Sequence, residues 1–278
     1  MSAADGQLYP FGYGDEELDR LRVQHRVWHG ENQRLLSRAG YGQGHTLVDL
    51  GCGPGLTTLD LARRVGPKGR VIAVDRDGER SIPRLREAAD AAGLENVEAR
   101  VADLEEFDLP SETIDGVYSR WVLMYLPERE ARALATRIAK WLRPGGVCAL
   151  AEFCNFRNIC VYPPIEHFGL VVDALMRTAA GDRGGNPEIG CVLPGELREA
   201  GLEVELGMVT KAIRPATQDW RWPDDLFRQI LPMLVDRGHL AGRIQDQFMD
   251  EWEKRSRDPS AIFFSSPVLE VIGRRPGE

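Results

Sequence analysis

The chain has 278 residues, of which 43% are hydrophobic, and its formal net charge is −8. This size and composition allow a substantial core in one large domain, and the acidic balance argues against nucleic acid as the main partner. The N-terminus lacks a basic start followed by an apolar stretch, and no segment approaches the roughly 20 apolar residues of a membrane span, so we expect a cytoplasmic protein with no membrane partner.

The first 44 residues are expected to form an N-terminal helical cap. Between residues 8 and 40, apolar side chains recur at the spacing of one or two amphipathic helices, with Leu18, Leu21, His25, Trp28 and Leu35 roughly on one side. This segment precedes the first sheet strand. Such a helix can lie over the carboxyl edge of a parallel sheet, where ligand crevices form.

Residues 45–153 alternate between strand-like and helix-like segments. Strands are expected at 46–51, 70–75, 97–103, 114–123 and 147–153, and the helices between them at 56–65, 81–93 and 129–143. The last of these helices runs into Pro144-Gly145-Gly146, which is typical of a helix end. The repeat predicts an α/β fold with a doubly wound, mostly parallel sheet and right-handed crossovers.

The pattern is looser after residue 153. Residues 154–192 are expected to form a lid insert with a helix in 163–181, and residues 193–278 to complete the sheet. In this last part we expect a helix at 193–202 that leads into a strand, a helical insert at about 217–257, and a final strand in 265–276. The two late strands are candidates for an antiparallel hairpin at one edge.

The five cysteines are odd in number and include no C-x-x-C pair. This predicts reduced thiols, neither a disulfide framework nor a bound metal. Cys154 and Cys160 are the pair that we consider most open to a bridge.

A glycine turn follows the first predicted strand, in the segment "LVDLGCGPG" at residues 47–55. A dinucleotide fingerprint needs G-x-G-x-x-G, but Leu56 stands where the third glycine belongs. Pro54 removes one backbone N–H that a diphosphate would use, and no Gly-Lys-Ser/Thr follows for a P-loop. The spacing therefore favours a ligand without phosphate.

The run from Asp49 to Gly55 resembles motif I of the class I S-adenosylmethionine-dependent methyltransferases. Asp75 and Asp103 end the next two strands, and "WLRPGG" at 141–146 precedes the fifth, all in the order of that family. The resemblance covers residues 46–153. It implies a seven-stranded Rossmann-like methyltransferase fold, with S-adenosyl-L-methionine as the cofactor and with the cap and the helical inserts over the active site.

The resemblance also implies which residues hold the cofactor. Asp75 would accept the ribose hydroxyls and Asp103 the adenine amino group. The segment "YPFGYGDEELDRLRVQH" is similar to the N-terminal cap of bacterial small-molecule methyltransferases related to the quinone-methylating enzymes, in which Tyr13 and Gln24 would reach the methionine end. The residues expected at the cofactor are Tyr13, Gln24, Asp49, Gly51, Gly53, Gly55, Asp75, Arg76, Ala102, Asp103, Leu104, Ser119 and Arg120.

Methyl transfer is an in-line displacement that depends on positioning and the exclusion of water, so no protein nucleophile is required. A general base helps when the acceptor must lose a proton. His29, His167 and Glu152 are the candidate catalytic residues, although a surface or packing role is commoner for such histidines. Arg120 has three candidate partners: the cofactor carboxylate, an acidic acceptor or a surface glutamate.

Aromatic residues near the expected pocket can attract a sulfonium or pack flat acceptors. These are Tyr9, Phe11, Tyr13, Trp28, Trp121 and Tyr125. For Trp28 the helical register favours core packing.

Three functions remain for comparison. The first is methylation of a small organic acceptor, a secondary metabolite or quinone-like compound, by a protein whose sequence allows a homo-oligomer. The second keeps the bound cofactor for a non-methylating reaction such as cyclisation or decarboxylation, because function belongs to the site rather than the fold. The third, a nicotinamide oxidoreductase, is disfavoured by Leu56.

Overall fold

A computed structural model describes residue 9, residues 11–180 and residues 184–277, except for the side chain of Ala180. Parts of the expected cap (residues 1–8 and 10) and of the expected lid (residues 181–183) lie outside the described residues. Along the chain the helices are α1 (Asp15–Arg38), α2 (Leu56–Val65), α3 (Ser81–Ala91), α4 (Glu128–Trp141), α5 (Phe168–Ala180), α6 (Ile189–Glu199), α7 (Arg221–Asp236) and α8 (Gly242–Arg257).

The strands confirm the predicted fold class. They are β1 (Thr46–Leu50), β2 (Arg70–Asp75), β3 (Val97–Val101), β4 (Ile114–Arg120), β5 (Leu142–Phe153), β6 (Cys160–Tyr162), β7 (Glu203–Val209), β8 (Ala212–Ile213), β9 (Ile262–Phe264) and β10 (Val268–Arg274). Seven of them form one sheet in the order β3-β2-β1-β4-β5-β10-β7. β10 is antiparallel to both β5 and β7, so the late hairpin forms at one end of the sheet.

The strand order places a ligand crevice between β1 and β4. From β1 the chain proceeds outward to β2 and β3 and then returns to β4 on the other side of β1, with parallel pairing on both sides. In open α/β sheets, ligands bind outside the carboxyl ends of the strands at such a reversal. The glycine turn after β1 lies at this point.

Side chains of the central strands alternate between two buried apolar clusters, one on each side of the sheet. Leu47 and Val71 belong to one cluster, and Val48, Leu50 and Ile72 to the other. Because both faces are covered, these strands are apolar throughout rather than alternating with polar residues. Each fully buried side chain of this kind contributes roughly 1.5–3 kcal/mol, which holds the strand ends in place.

Several boundaries differ from the predictions. The helix expected at 129–143 ends at Trp141, and β5 begins at Leu142, with a register shift against β4 before Val147. β4 ends at Arg120 rather than at residue 123, and Trp121 has a φ of 56°. α6 spans Ile189–Glu199 and therefore crosses the boundary expected at residue 192.

A second, three-stranded antiparallel sheet in the order β6-β9-β8 joins the insert to the C-terminal segment. It was not predicted, because strands of two or three residues carry too little periodicity to recognise. α7 and α8 were expected as one helical region. Phe227 and Trp252 pack against Phe263 of β9, and Phe248 packs against Phe227.

All five cysteines are free thiols, with Cys154 buried and Cys160 exposed, so this pair forms no bridge. Within the described part of the chain, no helix combines the length and apolar character needed to cross a membrane.

Candidate functional site

A cavity of about 290 Å³ lies at the carboxyl ends of the central strands. One end is formed by the glycine turn and the ends of β2 and β4. The other end is formed by α1, α5 and α7. The cap helix and the C-terminal helices therefore enclose the crevice that the strand order creates.

The three glycines of the turn all have positive φ, but they serve different purposes. A Cβ at Gly51 would lie 2.4 Å from Val122, and a Cβ at Gly55 would lie 2.2 Å from Leu85 of α3. Gly53 lines the cavity and has no atom within 4 Å of such a Cβ. Gly55 does not line the cavity, so its expected cofactor contact is corrected to helix packing. Gly53 is the position where the backbone leaves room for a ligand.

Asp75 lies at the end of β2 and supports the turn from below. Its Oδ2 accepts the N–H of Gly53 at 2.8 Å, and its Oδ1 accepts the N–H of Asp77 at 2.9 Å. Burial raises the pKa of this carboxyl against the lowering effect of these two bonds. Each carboxylate oxygen has a second lone pair, so Asp75 can still accept hydroxyl donors from the cavity.

Asp49 lies under the same turn and is 2% exposed. Its Oδ2 accepts the hydroxyl of Thr58 at 2.6 Å. Burial raises the pKa of Asp49 to about 7. It lines the cavity, as do Arg76, Ala102, Asp103 and Leu104, which were expected there.

Ser119 was expected at the cofactor but does not line the cavity. It is fully buried, and its hydroxyl donates to the carbonyl of Leu50 at 3.2 Å. Successive residues of a strand point to opposite faces, so Arg120 reaches the cavity and Ser119 does not.

Arg120 forms no ion pair within 4 Å among the described residues, although its charge lowers the pKa of the buried Asp49 carboxyl against the effect of burial. Its Nη2 contacts the hydroxyl of Thr57 at 3.4 Å, and its guanidinium carbon lies 4.8 Å from the ring centre of Trp121. Its Nη1 is buried without a hydrogen-bond partner in this part of the chain. No glutamate of the described residues pairs with Arg120, and an anionic ligand in the cavity would satisfy the free donor.

Tyr13 and Gln24 both line the cavity as expected. Gln24 Oε1 accepts hydrogen bonds from Arg20 at 3.0 Å and from Trp222 of α7 at 3.1 Å, so it joins the cap helix to α7. Burial raises the pKa of Tyr13 to about 12, so its hydroxyl remains protonated.

Sequence reasoning missed a buried polar cluster formed by Glu17 and Arg20 of α1 with Tyr9 of the segment before it. Arg20 and Glu17 are each 3% exposed and form a two-pronged ion pair with both distances at 2.7 Å. The hydroxyl of Tyr9 donates to Glu17 and accepts from Arg20. All three line the cavity. The available signal was the helical spacing of 17, 20, 23 and 27, which places both charges on the buried face.

The two histidines expected as candidate catalytic residues lie outside the cavity. His29 is 48% exposed beside Asp60, and His167 lies next to Glu166 before α5; neither lines the cavity. The helical phase of α1 turns His29 away from Glu17 and Gln24.

Glu152 does not line the cavity either. It is fully buried, and its Oε1 accepts the N–H groups of Val122 and Leu123, each at 2.9 Å. Burial raises the pKa of Glu152 to about 7. It acts on the site by positioning the segment 121–125, of which Trp121, Val122, Met124 and Tyr125 line the cavity.

Aromatic and aliphatic side chains form the end of the cavity away from the glycine turn. These are Tyr9, Phe11, Trp121, Tyr125, Phe153, Phe156, Ile159, Leu175, Trp222, Leu226 and Ile230. Trp28 packs edge-on against Trp121 and Trp222 from behind and is 3% exposed, which supports its expected packing role.

Comparison with known proteins identifies the core. Residues 47–146 match the methyltransferase domain family. Together with the sheet and the turn, this match decides the assignment. The chain carries a class I S-adenosylmethionine-dependent methyltransferase domain. The cofactor of this domain is S-adenosylmethionine.

Relatives of the methyltransferase domain include two curated enzymes. A trans-aconitate 2-methyltransferase of Azoarcus sp. (strain BH72) is 38% identical over 122 residues, which cover 44% of each protein. A phosphoethanolamine N-methyltransferase of Triticum aestivum is 35% identical over 113 residues, which cover 40% of this chain and 22% of the relative. The matched region thus spans less than half of either relative.

The fold extends beyond the matched region. A geranyl diphosphate C-methyltransferase structure from Streptomyces coelicolor A3(2) aligns with a TM-score of 0.53 at 18% identity, covering 90% of this chain and 81% of the other. At this identity the likeness concerns the fold alone.

The residues of the cavity fit an adenosyl cofactor. Gly53 leaves open space at the turn, Asp75 retains free lone pairs, and Arg120 has a buried unpartnered donor. Hydroxyl donors, a positive sulfonium beside aromatic rings and a carboxylate would each find a complementary group here.

Proposed function

We propose that this chain transfers the methyl group of S-adenosylmethionine to a small organic acceptor with an apolar, partly aromatic body. One observation carries the proposal: a single cavity joins the acidic glycine turn at one end to an aromatic and aliphatic wall at the other. The first end suits the cofactor, and the second provides the complementary surface for an acceptor.

On the cofactor side, Asp75 would hold the ribose, with Arg76, Ala102, Asp103 and Leu104 around the adenine. Tyr13, Gln24, Asp49 and Arg120 would surround the methionine end. Bound there, the cofactor supplies an electrophilic methyl group. The residues of this chain orient it and keep water out.

On the acceptor side, the wall selects for shape more than for charge. Stacked Trp121 and Phe153, whose ring centres lie 5.2 Å apart, present flat apolar surface. The relatives act, by their names, on phosphoethanolamine and trans-aconitate. Those compounds are smaller and more polar than the ligand that this wall favours, so we infer a larger and more apolar acceptor, such as a quinone-like compound or secondary metabolite.

The Tyr9–Glu17–Arg20 cluster is the polar feature within this wall. Both carboxylate oxygens of Glu17 are already engaged by Arg20. We infer that the cluster orients a polar group of the acceptor by hydrogen bonding, and that positioning rather than base catalysis is the main contribution of the chain.

The decisive experiment supplies the protein with methyl-labelled S-adenosylmethionine and an extract of apolar metabolites from the source cells. Label in an extracted small molecule, with equal formation of S-adenosylhomocysteine, supports the proposal. Asp75→Asn, which weakens the cofactor site, should lose both signals together. A rearranged or decarboxylated product with the cofactor unconsumed would instead support the non-methylating alternative and overturn methyl transfer.

A further inference from the structure

A second polar cluster lies outside the cavity, where α1 meets α2. His25 Nε2 and His29 Nδ1 on α1 each lie 3.4 Å from Asp60 Oδ2 on α2. The three ligand atoms all lie within 4.8 Å of one another. None of these residues lines the cavity. We propose that His25, His29 and Asp60 form a binding site for a divalent transition-metal ion, with zinc as the best fit.

The spacing suits ligands around an ion better than direct hydrogen bonds. Zinc bonds to imidazole nitrogen and carboxylate oxygen are about 2.0–2.1 Å, so neighbouring ligand atoms of a tetrahedral site are about 3.3–3.4 Å apart. Both imidazole-to-carboxylate distances have this value. Hydrogen bonds of this kind are usually shorter, at about 2.7–3.2 Å.

The positions of α1 and α2 bring all three side chains together around Asp60 Oδ2. His25 and His29 are four residues apart, which places them on the same face of α1. Their rings meet edge to face with centres 5.5 Å apart. Gln33 lies four residues after His29 on the same face of α1. Its Nε2 donates to Asp60 Oδ2 at 3.1 Å, and its Oε1 accepts from Arg64 at 2.8 Å. A carboxylate oxygen has a further lone pair, so this bond orients Asp60 without excluding an ion.

The donor set and its surroundings determine which ion fits. Two imidazoles and one carboxylate suit zinc, cobalt or nickel, whereas calcium and magnesium require mainly oxygen ligands. Arg63 lies 3.7 Å from Asp60 Oδ1 and partly offsets the charge of this carboxylate, so binding at the site depends mainly on its two imidazole donors. The His29 side chain is 48% exposed, so it provides an entry path and room for water as the fourth ligand.

An ion at this position would connect the cap to the core. α1 contributes Glu17, Arg20 and Gln24 to the cavity, and α2 contributes Leu56 and Thr57. A metal bridge between these helices would therefore hold the cavity wall in place. We expect it to raise the melting temperature and to slow release of a ligand bound beneath the cap.

The test uses the full chain without an affinity tag, stripped of metal with a chelator, and titrated with Co²⁺. A visible d–d band of tetrahedral type that saturates at one ion per chain, and that Zn²⁺ displaces, is the expected result. His29→Ala removes a half-exposed ligand and should weaken binding by more than the roughly 10–100-fold typical for loss of an outer-shell partner. His45→Gln, at a histidine before β1, is the matched control and should bind like the wild type.

Asp60→Asn separates the three-ligand site from a plain histidine pair. It retains both imidazoles, so unchanged Co²⁺ affinity in this variant would overturn the proposal, as would no saturable binding in the wild type. Zn²⁺ should raise the melting temperature of the wild type and of His45→Gln but not of His29→Ala. These readouts need no methyl acceptor, so they stand or fall independently of the proposed function.

Discussion

The carboxylate of Asp75 at the end of β2 accepts the backbone N–H of Gly53 in the turn after β1, at 2.8 Å. The residue expected to bind the ribose therefore also fixes the backbone that passes beneath the cofactor. Gly53 has a φ of 52°, a conformation that costs a residue with a side chain roughly 1–2 kcal/mol. We therefore expect this one carboxylate to couple the geometry of the turn to ligand binding.

Asp75→Asn should weaken S-adenosylhomocysteine binding by about 10- to 100-fold, because hydrogen bonds to a charged acceptor contribute about 1.5–3 kcal/mol. The measurement is calorimetric titration, with the melting temperature recorded alongside. Asp77→Asn is the matched control. Asp77 accepts the N–H of Ser81 at 2.7 Å but does not line the cavity, so its replacement should leave the affinity unchanged. Equal affinity losses in both variants would contradict a direct role for Asp75.

Gly53→Ala tests whether the space above the turn belongs to the cofactor. The added methyl group meets no protein atom within 4 Å but projects from a residue that lines the cavity. Gly44→Ala provides the control, since Gly44 also has a positive φ and open space but lies outside the cavity. Both variants should lose roughly 1–2 kcal/mol of stability from backbone strain. The loss of S-adenosylhomocysteine affinity is expected only in Gly53→Ala, and comparable affinity in the two would place the cofactor elsewhere.

The turn and the two acids could be predicted because they are local. Gly51, Gly53, Asp75 and Asp103 follow short apolar runs whose ends the sequence marks clearly, and all four line the cavity. Ser119 and Arg120 show the limit of such reasoning. An error of one residue in a strand exchanges the two faces, and the end of β4 carries no glycine or proline to mark it.

Residues on α1 were harder to assign to the cavity. The side chains of a 24-residue helix point in all directions around its axis, and only tertiary packing decides which of them face the cavity. His29 was expected to face the cavity and instead faces Asp60. Glu17 and Arg20 were not among the expected site residues, and their burial depends on each other and on Tyr9, which lies in a different segment. The helical spacing places both charges on the buried face of α1, but it does not show that Tyr9 joins them there.

Arg120→Met tests which anionic group Arg120 meets. If the buried Nη1 binds the cofactor carboxylate, the variant should bind S-adenosylhomocysteine at least about tenfold more weakly, since a lost charged hydrogen bond costs about 1.5–3 kcal/mol. It should bind 5′-methylthioadenosine, which lacks the carboxylate, as well as the wild type does. Arg76→Met is the control, because Arg76 follows Asp75 at the expected ribose site. Any loss of affinity in this variant should be the same for both ligands. Unchanged binding of both ligands by Arg120→Met would assign the arginine to an acidic acceptor instead.

Glu152 should make stability depend on pH. Its folded pKa is about 7 because of burial, against an ordinary value of 4.5, so the folded state binds more protons than the unfolded state between these values. Its contribution to the free energy of unfolding is therefore fully present below about pH 4.5 and declines as the pH rises through 7, by at most about 3 kcal/mol.

Glu152→Gln should remove this dependence. A glutamine Oε1 can still accept the N–H groups of Val122 and Leu123, so the loop that lines the cavity should stay in place. Urea denaturation at pH 5, 6, 7 and 8 gives the free energy of unfolding of both proteins. The wild type should lose stability relative to the variant across this range, because only the wild type must ionise a buried carboxyl group at position 152. Asp49 and other buried acids titrate equally in both proteins, so the difference isolates Glu152. Parallel curves would mean that Glu152 ionises as easily in the folded chain as in water.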